Sequence, residues 1–403
     1  MDLSIEIKNE SNFNNLYLNI KINTSEKKNN IVNDYLSHIK NKITKYSKSK
    51  QWDFYKKMTN PYELIYLTKK IDKEFSISKY EPISRSYFKM IEILNEYFIE
   101  YKNYSNKIKT FHLAEGPGGF VEAMINFRNN STDEVNTMTL ISNNKEIPNW
   151  NKIKYFIKKN KNINIIIGED KKGDLYNIKN HYYILNNSGK NSMDIITGDG
   201  GFDFSNNYNF QEQNSQKLIF SQILMVFSML KKNGHFICKF FDTYCDLTKE
   251  LIFLLYLFFD SIYIYKPKSS RIANSERYII CKKFKGCSTL LLCELINILN
   301  IWNKIENLNY TIIKILDLEE NKIKSIYIKF LEKLNKINNN IQTKQIENIN
   351  KTIDLIENKP NHIFLSKNYM NQINKSKEWC VKYNVPYKYN INTNYTKLYY
   401  LLK

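Results

Sequence analysis

Arginine is nearly missing from this chain. Of 60 cationic side chains only Arg85, Arg128, Arg271 and Arg277 are arginines. The 6 cysteines are scattered and include no CxxC pair, which excludes a zinc knuckle. They read as reduced thiols of an intracellular protein. The amino terminus, MDLSIEIKNE, lacks the basic-then-apolar pattern of a signal peptide. The apolar run Leu251–Phe259 stops at Asp260, too short to span a bilayer, and reads as a core helix. No GxGxxG and no P-loop is present, and no cluster of residues has metal-ligand spacing.

What the chain does have is charge and a core. It is 403 residues long, 42% hydrophobic, with a net charge of +20. A charge this large points to a polyanionic partner, nucleic acid first. Asn, Lys, Ile and Tyr are abundant, as in an AT-rich genome, so codon usage accounts for part of that charge.

Residues 1–24 alternate, with Leu3, Ile5, Ile7, Leu16, Leu18, Ile20 and Ile22 predicting a hairpin or two edge strands. Ile31, Tyr35, Ile39 and Ile43 predict a helix over 27–48. Asn60-Pro-Tyr-Glu-Leu-Ile65 reads as a helix start, and 84–101 as a further helix. From residue 110 strands alternate with helices. Strands are expected at 110–114, 136–142, 163–168, 193–198, 235–240, 261–265 and 277–282. A helix over 210–230 is expected to stop at Lys231-Lys-Asn-Gly234. This alternation predicts a sheet covered on both faces, with ligands at the carboxyl ends of its strands. Helices are expected over 286–303, 311–358 and 366–384.

Several residues carry chemistry. Glu115-Gly-Pro-Gly-Gly119 lies between the first strand and first helix of the α/β region. Its glycines allow close approach of a ligand, although a plain tight turn is an equal reading. Asp199, in Thr-Gly-Asp-Gly-Gly201, ends an apolar strand. Lys239 sits among apolar residues in His235-Phe-Ile-Cys-Lys-Phe-Phe241, and a buried lysine needs a partner or a depressed pKa. Glu276 stands just before the strand at Tyr278, where the two could meet. Taken alone, that pair is equally a structural ion pair.

Together these pieces resemble the FtsJ-like family of S-adenosylmethionine-dependent RNA 2′-O-ribose methyltransferases. Within it, the likeness is to the messenger-RNA cap 2′-O-methyltransferases of eukaryotes and large DNA viruses. The resemblance covers about 52–284. It is carried by Asn60-Pro-Tyr-Glu-Leu-Ile65, Ser84-Arg-Ser-Tyr-Phe-Lys89-Met, Ala114-Glu-Gly-Pro-Gly-Gly-Phe120 and Gly173-Asp174. Gly198-Asp-Gly-Gly-Phe202, Gly234-His-Phe-Ile-Cys-Lys239 and Lys266-Pro-Lys-Ser-Ser-Arg271 complete it, with Asn274-Ser-Glu-Arg-Tyr278. An insertion near Thr68–Pro82, Glu115 at a variable position, and Ile272 where proline is common depart from the family pattern.

The resemblance implies a Rossmann-like α/β methyltransferase fold: a mostly parallel seven-stranded sheet with helices on both faces. It divides the chain into an N-terminal extension (1–51), the methyltransferase domain (52–284) and a C-terminal helical region (285–403). It implies a catalytic tetrad of Lys89, Asp199, Lys239 and Glu276. Lys239 would be the base, its pKa lowered by burial and by Lys89. S-adenosylmethionine would lie against Gly116, Pro117, Gly118, Gly119 and Phe120, with Asp174 near the adenine and Asp199 serving cofactor and tetrad. Capped mRNA would be the substrate, ribosomal or transfer RNA the alternative, and a non-catalytic RNA-binding subunit the alternative of another class. Other capping or transcription proteins are candidate partners; no membrane or metal is implied. The expected place is intracellular: the cytoplasm, with a virus factory or virion for a viral protein and the nucleus for a cellular one. Arginines at motifs in a lysine-rich chain suggest a need for the planar fork. Arg85, Arg271 and the neighbouring Ser270 are therefore expected at RNA phosphates, and Arg277 on a surface acid.

Overall fold

The computed structural model describes residues 4–8, 18–23, 34–47, 51–68, 74–144, 147–201, 208–308 and 310–402. The expected positions Leu3, Leu16, Ile31 and Phe202 lie outside these residues. The strands are β1 (Ser4–Lys8), β2 (Leu18–Asn23), β3 (Lys109–Leu113), β4 (Glu134–Met138) and β5 (Ile163–Ile165). They continue as β6 (Met193–Gly198), β7 (Leu230–Phe240), β8 (Phe259–Tyr265), β9 (Arg277–Phe284) and β10 (Thr311–Leu316). The helices before the last strand begin with α1 (Asp34–Ser47), α2 (Gln51–Met58), α3 (Ser86–Tyr97) and α4 (Gly119–Arg128). Next come α5 (Lys154–Lys159), α6 (Ile178–Ser188), α7 (Gln211–Met229), α8 (Asp246–Phe258) and α9 (Thr289–Glu306). The last are α10 (Asn321–Asn358), α11 (His362–Lys382) and α12 (Tyr395–Leu402).

The main sheet runs β1-β8-β9-β7-β6-β3-β4-β5. Seven of its strands are those expected of a Rossmann-like methyltransferase sheet; β1 adds an antiparallel edge on β8. Strands β5, β4, β3, β6 and β7 are parallel, and β9 runs antiparallel between β7 and β8. The central strands are buried on both faces, as their near-continuous apolar sequences require. Register then sets the site. Leu113 pairs with Gly198 and Gly198 with Cys238, so residues 114, 199 and 239 emerge side by side at the carboxyl ends. Because β9 is antiparallel, Lys239 lies opposite Tyr278 and Glu276 comes to the same end.

Four expectations change. The two N-terminal strands do not pair with each other: β1 joins β8, and β2 pairs antiparallel with β10. Residues 311–316 are a strand rather than helix, in keeping with the β-branched run Thr311-Ile-Ile. Lys231–Gly234 does not follow a helix stop; α7 ends at Met229 and these residues bulge from β7, where Met193 pairs with Leu230 but Ile195 with His235. Asn60-Pro-Tyr leads only into the single 3₁₀ turn Glu63–Ile65.

The C-terminal region shares its core with the sheet. Ile312, Phe330, Leu334 and Ile341 belong to the same apolar cluster as α7, α8 and the strands. Tyr369, Ile373 and Trp379 of α11 join a second cluster with α3, α4 and β9. Glu92 of α3 ties these parts together. Its buried carboxylate accepts from Tyr265 Oη (2.5 Å), Lys268 N (2.6 Å), Ser269 N (3.1 Å), Ser269 Oγ (3.0 Å) and Trp379 Nε1 (2.8 Å). Truncation after Lys283 uncovers both clusters and removes the indole from Glu92. The truncated chain is therefore expected to be insoluble or to melt without a cooperative transition in circular dichroism. A soluble fragment with a sharp transition and intact cofactor affinity would show the catalytic core to be independent.

Candidate active site

The turn after β3 is built for close approach. Ala114 (φ +52°) and Gly118 (φ +113°) are both left-handed. At Gly116 a Cβ would lie 2.5 Å from the Pro148 carbonyl oxygen and 2.8 Å from Thr139 Oγ1, so only glycine fits. Glu115 Oε1 accepts the Phe120 N–H (2.6 Å), and its buried Oε2 has no hydrogen-bond partner among the described residues. Burial raises the Glu115 pKa well above the usual carboxylate range, and the charge of Asp199 adds to that.

A cavity of about 950 Å³ opens beside this turn. Gly116, Pro117, Asp174, Asp199, Lys239 and Glu276 all line it. Gly118, Gly119 and Phe120 are not among its lining residues. Phe120 is fully buried, its ring against Tyr278 and its N–H held by Glu115. Lys40, Ile43, Trp52, Asp53 and Lys56 of α1 and α2 and Gln345 of α10 line it too. Nothing in the sequence marked these residues, because their role depends on how distant segments pack.

The structure brings the four expected tetrad positions together. Lys89 Nζ lies 2.7 Å from the Glu276 carboxylate. Lys239 Nζ donates to the Asp199 carbonyl (2.6 Å) and lies 3.4 Å from its Oδ1. Tyr278 Oη bridges Asp199 Oδ1 (3.1 Å) and Glu276 Oε1 (3.4 Å). Burial pushes Glu276 up, but Lys89, Lys239 and Lys266 outweigh it and hold the carboxyl at about 2. The expected depression of Lys239 is not found. Burial does lower it, yet the charges of Asp199 and Glu276 outweigh burial and raise its pKa above the ordinary lysine value. The depressed lysine is Lys266, lowered to about 7 by burial, the nearby Arg277 and Lys89 adding to the effect. Its Nζ donates to the carbonyls of Asn274 (2.5 Å) and Glu276 (2.6 Å). Lys266 and Tyr278 lie in motifs of the sequence that carry no assigned role there, since neither lysine nor tyrosine stands out in this composition.

The three expected RNA-contact residues all have protein partners. Arg271 makes a two-pronged pair with Glu63, Nε to Oε2 at 2.9 Å and Nη2 to Oε1 at 2.6 Å. Arg85 donates to the carbonyls of Glu63 (3.0 Å), Tyr66 (2.5 Å), Tyr62 (3.1 Å) and Ser269 (3.4 Å). Ser270 Oγ donates to Glu276 Oε1 (3.1 Å). Arg277 is fully buried on Asp242 (3.1 Å), a buried acid rather than a surface one. Arg128 is likewise buried on Asp133. Burial favours the neutral form of Glu63, but Arg85 and Arg271 overcome it and hold its pKa at about 2.

A depressed carboxylate stabilises the fold above its unfolded pKa and loses that contribution as pH falls through the folded value. The shift of Glu63 from 4.5 to about 2 corresponds to on the order of 3 kcal/mol. Glu63→Gln should therefore lower stability most at neutral pH, with the gap to wild type narrowing as pH falls toward about 2. Urea unfolding at neutral pH and at about pH 3 measures this, and an equal gap at both would contradict the assignment.

The FtsJ-like methyltransferase family matches residues 82–284. The mouse cap-specific mRNA (nucleoside-2′-O-)-methyltransferase 1 is 38% identical over 122 residues, 29% of this chain and 15% of the mouse protein. The protein of that name from Trypanosoma cruzi is 36% identical over 120 residues, 30% of this chain and 33% of that one. The chain thus spans less than two thirds of the length of these relatives. A solved structure from Plasmodium falciparum described as a ribosomal RNA methyltransferase matches with TM-score 0.36 and 20% identity, covering 51% of this chain and 99% of that one. Because the family match over residues 82–284 takes in half of its length, the chain belongs to the FtsJ-like methyltransferase family.

Proposed function

We propose that this protein transfers a methyl group from S-adenosylmethionine to the ribose 2′-hydroxyl of the first transcribed nucleotide of capped mRNA. The observation that carries the reading is the meeting of Lys89, Asp199, Lys239 and Glu276 at the carboxyl ends of β6 and β7, beside the 116–119 turn. The names of the relatives support the capped substrate.

The residues present fit the cofactor. Gly116 lines the cavity with bare backbone, because a Cβ there would collide with Pro148 and Thr139, and Asp174 also lines it, with its Oδ1 engaged by the Tyr176 N–H (2.8 Å). S-adenosylmethionine supplies an electrophilic methyl on a sulfonium, whose positive charge opposes the proton on Lys239. The chain's part is to orient the hydroxyl and take its proton. Lys239 is the base in its neutral form. Lys89 and Glu276 hold the nucleophile's surroundings near charge balance, and Asp199 fixes the Lys239 amine through both its carbonyl and its carboxylate. In-line positioning supplies much of the rate.

Asp174→Ala should weaken cofactor binding by about tenfold to a hundredfold, the worth of a charged hydrogen bond. Calorimetry with S-adenosylmethionine checks this, and unchanged affinity would remove Asp174 from the site.

Lys239→Arg should lower methyl transfer by about 10²–10⁴-fold with little change in cofactor or RNA affinity, since a guanidinium keeps its proton. With its pKa raised, wild-type Lys239 should give a rate that climbs with pH through the alkaline range. An active Lys239→Arg with the wild-type pH profile would reduce Lys239 to a structural partner. Capped and uncapped transcripts, assayed beside ribosomal and transfer RNA, test the substrate. Transfer that ignores the cap would favour a ribosomal or transfer RNA enzyme.

A further inference from the structure

Glu276 is the one member of the charged cluster that precedes its strand: β9 begins at Arg277, so residues 273–276 form the loop that aims the carboxylate. This loop is clamped by helices from both regions that flank the methyltransferase domain. Ser275 Oγ receives Lys40 Nζ (2.8 Å) from α1 and Gln345 Nε2 (3.3 Å) from α10, and itself donates to Asp242 Oδ2 (3.0 Å). Gln345 Nε2 also holds the Ala273 carbonyl (3.1 Å). Asp242 pairs with Lys40 and with Arg277, so one carboxylate joins the helix, the loop and the first residue of β9. Burial raises the Asp242 pKa, but Lys40 and Arg277 outweigh it and lower it below the ordinary aspartate value. These groups are at most 6% exposed, so each hydrogen bond is made where water does not compete.

We propose that Lys40 and Gln345, one from each flanking region, are positioning residues that set Glu276 for methyl transfer. Neither touches Glu276: they act through Ser275 and the Ala273 carbonyl. The proposal rests on the reading that Glu276 belongs to the catalytic cluster. It makes α1 and α10 parts of the reaction machinery rather than covers around it. Loosening of the loop by about an ångström is enough to cost one to two orders of magnitude in rate.

The test is a double-mutant cycle on the full chain, read as kcat and cofactor affinity well below the melting temperature. Gln345→Leu keeps shape and removes no charge. It should lower kcat by about tenfold to a hundredfold while S-adenosylmethionine affinity stays within about twofold. Lys40→Met should behave likewise, and Lys40→Arg, which keeps the charge on Asp242, should restore most of the rate. In a Glu276→Gln background, under single turnover, Gln345→Leu should cost little more. Equal losses in both backgrounds, or an undiminished kcat for Gln345→Leu, would overturn the positioning role. A fully active Glu276→Gln would overturn the catalytic reading of Glu276 itself, which is a separate result.

Discussion

Charge balance in a space almost closed to water is the constraint on which this structure turns. Lys89, Asp199, Lys239 and Glu276 have side chains between 13% and 16% exposed. An unpaired charge at that depth costs several kcal/mol, so two amines and two carboxylates must arrive together or not at all. The antiparallel β9 makes this possible. Were β9 parallel to β7, its eight residues would carry Glu276 to the opposite edge of the sheet, about 25 Å away at ~3.3 Å per residue. The reversal of one strand in a mostly parallel sheet is therefore what brings the carboxylate that precedes β9 to the end of the sheet where Lys239 pairs with Asp199, within reach of Lys89.

That Lys239 and Glu276 come to one end of the sheet was legible in the sequence; in place of a direct pair between them, Lys239 takes Asp199 and Glu276 takes Lys89. Lys239 and Glu276 could be read as neighbours from strand periodicity and an apolar connecting helix. The sheet's seven strands were legible for the same reason: each is a short β-branched or aromatic run bounded by turn residues. The partners of β1 and β2 were not legible. Alternation marks a strand but says nothing about which edge accepts it, and β10 was concealed by its closeness to a long helix. The direction of the Lys239 shift was equally out of reach. Burial and two carboxylates act in opposite senses, and only their distances decide between them.

Arginine teaches a finer point. Its scarcity suggested that the planar fork is kept where geometry demands it, and the expected demand was RNA. The demand is internal: Arg128, Arg271 and Arg277 each pair with a carboxylate, and Arg85 collects four backbone carbonyls above the same Glu63 that holds Arg271. A two-pronged guanidinium pair is directional, and lysine cannot reproduce it. At the cavity wall the cation supplied by α2 is Lys56, a lysine beside Asp53.

The low-complexity look of the C-terminal region hid its structural part. A helix rich in Asn, Lys and Ile reads as an amphipathic rod with a solvated face. Yet Asn338, Gln345 and Thr352 of α10 are buried, each with a defined hydrogen-bond partner. Polar residues at interior positions of a helix are tolerated only where the partner is fixed in advance. Those partners are the Thr243 carbonyl, the Ala273 carbonyl and the helix's own Asn348 carbonyl, the first two lying in the loops that follow β7 and precede β9. The long helix therefore reads the backbone of the active-site loops, and its register against the sheet is set by amide groups as much as by its isoleucines. Sliding it by one turn, about 5.4 Å, would leave those amides and carbonyls unmatched, so the geometry of the helix and that of the charged cluster are fixed by the same hydrogen bonds.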